Sequence, residues 1–131
     1  MAQPQPPSPG LGAYREAATL DAPDLVDRLR GVLGAKLVAY LGEVQDTRSV
    51  RQWAQRESVP SDTVVLRLRL AHHLAGVIQE SGDSPAVVQT WFLGGNPLLN
   101  DHSPARVLVE APLTEARHQL IAAARSFAST G

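Results

Sequence analysis

One short stretch of the sequence carries the kinds of side chain that DNA-reading helices use. Residues 47–56 place Val50 and Trp53 at a helical spacing that would turn both inward. The polar side chains left outside, which could donate hydrogen bonds to base edges and phosphates, are Thr47, Arg48, Ser49, Arg51 and Gln52. We therefore predict that this face binds operator DNA. A polar face that simply meets solvent is the alternative left open by the pattern.

Other residues that could do chemistry lack the necessary spacing. His72 and His73 are adjacent and would point about 100° apart on a helix, so they cannot both bind one metal ion. Residues 31–36 do not have the spacing of a phosphate-binding loop, and no Ser or Thr follows Lys36 directly. The sequence has no cysteine and hence no thiol nucleophile. We expect no metal, no cofactor and no enzymatic activity.

The balance of charges limits what kind of DNA contact is possible. Twelve basic and thirteen acidic side chains give a net charge of -1, which argues against a protein that coats nucleic acid through charge alone. Residues 32–70 nevertheless hold six basic and four acidic side chains, whereas residues 80–131 hold three and five. The basic part therefore coincides with the predicted reading helix.

Length and hydropathy indicate a small protein without membrane segments. The 131 residues suffice for one domain, or for two small halves around one core, and 44% of them are hydrophobic. No run of about 18 apolar residues exists, so we expect no contact with the membrane. The absence of cysteine is compatible with a reducing compartment, and we predict a cytoplasmic location.

Apolar spacing and helix-start residues predict an all-α fold. We predict helices over 23–33, 35–43, 47–56, 61–80, 85–94, 104–110 and 114–128. The helix over 61–80 is apolar around more than half of its circumference. It is therefore either central or in contact with a second copy, and we predict a homodimer. Residues 1–20 begin with four prolines among the first nine residues, which predicts a disordered, Pro-rich N-terminal tail.

Turn and helix-start signals are concentrated in residues 91–108. Gly94 and Gly95 are suited to ending a helix, and Asn96-Pro97 follows them as a turn. Ser103-Pro104 then combines a capping residue with a proline in the first helical turn. Because so many residues in this short segment restrict the backbone conformation, we predict that the segment forms a surface of defined shape.

This segment resembles the toxin-binding domain of antitoxins of the Xre/MbcA/ParS type. The pattern of that family is a helix with a tryptophan, an Asn-Pro-x-Leu turn, a Ser-Pro start and a short Leu-rich helix. The residues that match it are Trp91, Phe92, Asn96, Pro97, Leu99, Ser103, Pro104 and Leu108. Upstream, residues 37–54 look like the Xre-like helix-turn-helix half of the same proteins. The chain departs from the family in an eight-residue step from Gly42 to Val50 and in having Asn100-Asp101 where many members have glycine.

The resemblance implies an architecture and a partner. An Xre-like helix-turn-helix domain would occupy 21–80, and a toxin-binding domain would occupy 81–131, with the long central helix shared. The protein would be an antitoxin that covers the active site of a cognate RES-domain toxin, an NAD-consuming enzyme, and autoregulates its operon through operator DNA. Its toxin surface would comprise the matching residues together with Leu98 and Phe127. The alternative is a dimeric helix-turn-helix transcriptional regulator without a toxin partner.

Overall fold

The computed structural model describes residues 11–130, and the regular structure in that range is entirely helical. The helices are α1 Leu11–Thr19, α2 Ala22–Leu33, α3 Ala35–Leu41, α4 Thr47–Ala54, α5 Asp62–Gln79, α6 Pro85–Leu93, α7 Pro104–Glu110 and α8 Leu113–Thr130. A 3-10 helix, Pro97–Leu99, lies between α6 and α7. The all-α prediction is confirmed. Each of the helices α2 to α8 begins and ends within two residues of the predicted bounds. None of these helices is long and apolar enough to cross a membrane.

Side-chain caps explain why most of the helices begin where they do. Each cap accepts a hydrogen bond from a backbone N–H that would otherwise have no partner in the first helical turn. The capping residues of α2, α4, α5, α6 and α7 are Asp21, Asp46, Ser61, Ser84 and Ser103. Because these bonds span only two or three residues, the chain sets these helix starts locally.

The long helix α5 is the centre of the fold. It contacts α1, α2 and α8, and the apolar positions on its sides are buried by these neighbours. Among the described residues of α5, Leu66 is the large apolar side chain that remains exposed. The wide apolar face is therefore covered within one chain, so it no longer supplies an argument for a homodimer.

Helix α1 corrects part of the predicted disordered tail. Residues 11–19 form a helix that lies along α5, with Ala17 buried. Arg69 of α5 holds its end, since Nη1 donates to the carbonyl oxygens of Ala17 and Leu20 at 2.8 and 2.6 Å. Gly76 leaves room for Ala13 to approach α5 closely. The remainder of the predicted tail, residues 1–10, lies outside the described residues.

A buried arginine of α5 ties the two predicted halves together. Arg67 donates from Nη1 to the carbonyl of Leu41 at 2.7 Å and to the Glu43 carboxylate at 3.1 Å. Its Nε donates to the carbonyl of Leu108 at 2.9 Å. The Leu108 carbonyl needs an external donor, because its helical partner would be Pro112, which has no N–H. One side chain therefore donates hydrogen bonds to backbone carbonyls at the C-terminal ends of both α3 and α7.

Candidate functional site

The turn between α3 and α4 holds α4 firmly against the body. Val50 and Trp53 of α4 are buried against α2 and α3. The Trp53 ring lies on Gly42, where a Cβ would stand only 2.7 Å from the ring atom Cη2. Glu43 follows with φ 56°, a left-handed conformation that turns the chain before α4. The opposite face of α4 is therefore directed away from the core.

The residues predicted to contact DNA lie on that outward part of α4. Thr47, Arg48 and Arg51 are exposed, whereas Ser49 and Gln52 are half-buried. None of these five is among the buried residues of the core. All five side chains are therefore accessible from solvent. The two arginines, which are the longest of them, can extend furthest from the helix.

Three of the chain's arginines line one cleft beside the start of α4, which we name the basic cleft. Its volume is about 400 Å³, and its lining residues are Arg30, Ala35, Asp46, Thr47, Arg48 and Arg51. The carboxylate of Asp46 is already engaged, because Oδ1 accepts from the Arg48 backbone N–H at 3.0 Å. The cleft therefore has a positive excess that suits an anionic ligand such as a phosphate group.

Arg30 was missed by the sequence-based prediction. It belongs to the last turn of α2 and reaches the cleft only because α2 packs against α4. One of its guanidinium nitrogens lies 3.7 Å from the carboxylate of Asp27, which is largely exposed, so this long ion pair restrains Arg30 little. Because Arg30 lies in α2, the spacing of residues within α4 could not indicate that it belongs to the cleft.

A second recess, which we name the Trp91 groove, lies between α6, the Asn96-Pro97 turn and the end of α8. Its volume is about 510 Å³. Its lining includes Val87, Thr90, Trp91, Asn96, Pro97 and Phe127, and no charged residue among those that the structure describes contributes to it. The structure thus brings four of the predicted toxin-binding residues together at one recess: Trp91, Asn96, Pro97 and Phe127.

Trp91 lines this groove with a ring that is almost completely buried. Its side chain is 6% exposed, and its ring meets the Phe92 ring edge-on with centroids 5.1 Å apart. The indole Nε1 is buried and has no hydrogen-bond acceptor among the described residues. A buried donor without a partner costs about 1–3 kcal/mol. Trp91, which lines the groove, therefore carries a buried donor that has no partner within residues 11–130.

The Asn-Pro turn is closed by its own hydrogen bonds. Asn96 Oδ1 accepts from the Leu98 N–H at 2.9 Å, and the Asn96 carbonyl accepts from Leu99 and Asp101, both at 2.9 Å. Asn100 and Asp101 adopt left-handed conformations, with φ 56° and 65°. Asn and Asp tolerate this region better than most residues do, so these two residues can hold the left-handed turn without glycine.

Four residues that the sequence assigned to the toxin surface are core residues instead. Phe92 and Leu108 are completely buried, and Leu99 and Pro104 are buried as well. Phe92 of α6, Leu99 of the 3-10 helix and Leu108 of α7 belong to the hydrophobic core, and Pro104 is buried at the start of α7. All four support the surface from beneath. Ser103 caps α7, with Oγ accepting from the Arg106 N–H at 3.1 Å.

Two apolar side chains near the groove are open to solvent. Leu98 is 57% exposed, as expected for a contact residue of the turn. Leu93, at the end of α6, is 64% exposed and was not among the predicted contact residues. The apolar end of α6 contains no signal that separates the exposed Leu93 from its buried neighbour Phe92.

The adjacent histidines have separate neighbours. His72 Nε2 lies 3.2 Å from Glu16 Oε1, whereas the His73 ring meets Tyr14 edge-on. Burial lowers the pKa of both rings, and the positive charge of Arg117 lowers that of His73 further. Within residues 11–130 no three His, Cys, Asp or Glu side chains are grouped so that they could hold a metal ion.

No family model, no curated protein and no solved structure matches this chain. The case for a function therefore depends on the sequence motifs and on the geometry of residues 11–130. That geometry provides a basic cleft beside α4 and an apolar groove at Trp91.

Proposed function

We propose that this protein is an antitoxin that neutralises a cognate RES-domain, NAD-consuming toxin by covering its active site. The observation that carries the proposal is the Trp91 groove, an open apolar recess with a buried, unsatisfied donor. It lies in the segment whose sequence resembles the toxin-binding domain of Xre/MbcA/ParS antitoxins. Steric coverage requires an apolar contact surface, and most of the described lining of the groove is apolar.

The groove suits a particular kind of protein segment. Its apolar walls would receive an apolar side chain, and Trp91 Nε1 would donate to a backbone or side-chain oxygen of the toxin. Leu93 and Leu98 would add apolar contact area at its edge, since both are already exposed. Satisfying the indole donor on binding would recover the cost of leaving it unpaired, which is about 1–3 kcal/mol.

Autoregulation through operator DNA is the second part of the proposal. The basic cleft offers Arg30, Arg48 and Arg51 to phosphates and base edges, and α4 follows α3 through a short turn as in helix-turn-helix proteins. Operators of such proteins are palindromic, so this part of the proposal includes a homodimer. A protein that regulates its own operon would act in the cytoplasm. The sequence resemblance and the exposed arginines support it.

Co-expression with the toxin encoded by the neighbouring gene tests the proposal. The toxin alone should arrest growth, and co-expression of this protein should restore growth and yield a complex on purification. Failure of both would overturn the antitoxin assignment. If the protein then still bound its own promoter, a dimeric transcriptional regulator without a toxin partner would be the correct interpretation.

A further inference from the structure

A third recess lies between α1, α5 and α8, away from both surfaces described above. Its volume is about 250 Å³, just below the roughly 300–1,000 Å³ typical of pockets for drug-sized ligands. Tyr14 and Leu66, which are both about half-exposed, line it together with Leu70. The recess thus has apolar walls and room for a small organic molecule.

The polar side chains of this recess are basic or neutral. Arg69, His73 and Arg117 line it, and none of its lining residues within 11–130 is acidic, while the charge of Glu80 acts on His73 from outside the lining. Arg69 is held in place by its two bonds to carbonyls at the end of α1. Within residues 11–130, no carboxylate lies within ion-pair distance of Arg117, so that guanidinium is available to an anion.

His73 supplies a second, independent sign that a ligand belongs here. Its side chain is 6% exposed, and its Nδ1 is buried without a hydrogen-bond partner in the described part of the chain. A neutral imidazole can carry its proton on Nδ1 and then act as a donor. Buried ring nitrogens normally have a partner, and a bound acceptor beside His73 would supply the one that this nitrogen lacks.

We propose that this recess binds a small monocarboxylate with an apolar body. The carboxylate would accept hydrogen bonds from Arg117 and from His73 Nδ1, and the apolar body would lie between Tyr14 and Leu66. Charge-assisted bonds from a guanidinium group are among the strongest that a carboxylate can accept. The first ten residues of the chain contain no acidic side chain, so a side chain of that segment cannot supply the anion. This proposal does not depend on the antitoxin assignment.

Titration of the full-length protein with phenylacetate, followed by amide chemical shifts, tests the proposal. Phenylacetate should shift the signals of residues near Tyr14, Leu66 and His73 in a saturable way. The neutral amide of the same size, phenylacetamide, should bind at least about tenfold more weakly, because it lacks the charge. Indole-3-acetate and hexanoate extend the titration to a larger and to a non-aromatic body.

Two arginines of α8 provide a matched pair of variants. Arg117→Gln should weaken phenylacetate binding roughly ten- to hundredfold, since a charged donor is lost. Arg125→Gln changes an exposed arginine of the same helix that does not line the recess and acts on His73 only through its charge, so it should weaken binding much less than Arg117→Gln does. His73→Phe keeps a ring beside Tyr14 but removes the buried nitrogen, so it should also weaken binding.

Three outcomes would overturn the proposal. The first is that none of the three carboxylates gives saturable shifts at these residues. The second is equal binding of phenylacetate and phenylacetamide, or equal weakening by Arg117→Gln and Arg125→Gln. The third is that raising the protein concentration alone shifts the same signals, because a second copy of the chain would then occupy the recess.

Discussion

Replacing Arg67 with methionine is expected to lower the free energy of unfolding by about 3–5 kcal/mol. Methionine retains much of the apolar stem but no donor, so the carbonyls of Leu41 and Leu108 both lose their partner. Each buried carbonyl left in this way costs about 1–3 kcal/mol. The pair with Glu43 adds little, about 1 kcal/mol or less, because that carboxylate is largely exposed.

Urea denaturation followed by circular dichroism measures this loss directly. Two control variants bracket the result. Glu43→Gln removes only the exposed partner and should cost less than about 1 kcal/mol. Arg125→Met removes an exposed arginine from α8 and should change the unfolding free energy by no more than about 0.5 kcal/mol.

The size of the Arg67→Met effect decides whether the reasoning is correct. A protein of this size has a total stability of roughly 5–15 kcal/mol, so the expected loss is a large part of it. A loss below about 1 kcal/mol would mean that water or a rearranged backbone satisfies both carbonyls. The view that Arg67 joins α3 to α7 would then be wrong.

Three further predictions concern the turn, the basic cleft and pH. Gly42→Ala should lower the free energy of unfolding by about 1–3 kcal/mol, because the added Cβ would overlap the Trp53 ring. Gly31→Ala, where α2 has open space, should instead raise the free energy of unfolding by about 1 kcal/mol. Arg30→Ala should weaken operator binding and reduce the slope of log affinity against log salt by about 0.9 per lost phosphate contact, as measured by fluorescence anisotropy; an unchanged slope would remove Arg30 from the interface. The pKa of His73 in the folded protein is lowered below 6.5, so the unfolded chain binds more protons than the folded protein does in acid. The urea midpoint should therefore fall as the pH drops below about 6.5. The fall should be smaller in His73→Phe. An equal fall in both proteins would contradict that assignment.

Local signals in the sequence were sufficient for most helix boundaries. Ser84-Pro85 and Ser103-Pro104 act within three residues, and the structure has their caps in the expected places. The polar face of α4 could be predicted in the same way, since Val50 and Trp53 mark its buried side. These features depend only on neighbours along the chain.

The features that the sequence did not reveal depend on distant partners. Helix α1 has one buried residue of its own and is held by Arg69, about fifty positions later in the chain. Arg67 reaches carbonyls 26 and 41 residues away. Likewise, Phe92 and Leu93 are both apolar, and only the packing of α6 decides that Phe92 is buried and Leu93 exposed.

The most direct test of the antitoxin proposal is the affinity of the purified protein for its RES-domain toxin when the Trp91 groove is obstructed. Ala86→Arg places a long charged side chain at the groove, and Ala122→Arg makes the same change at an exposed position of α8 that does not line it. With both variants folded as judged by circular dichroism, calorimetry should give at least about hundredfold weaker binding for Ala86→Arg and unchanged binding for Ala122→Arg. Full toxin affinity in Ala86→Arg would contradict the central claim that the groove is the toxin-binding surface.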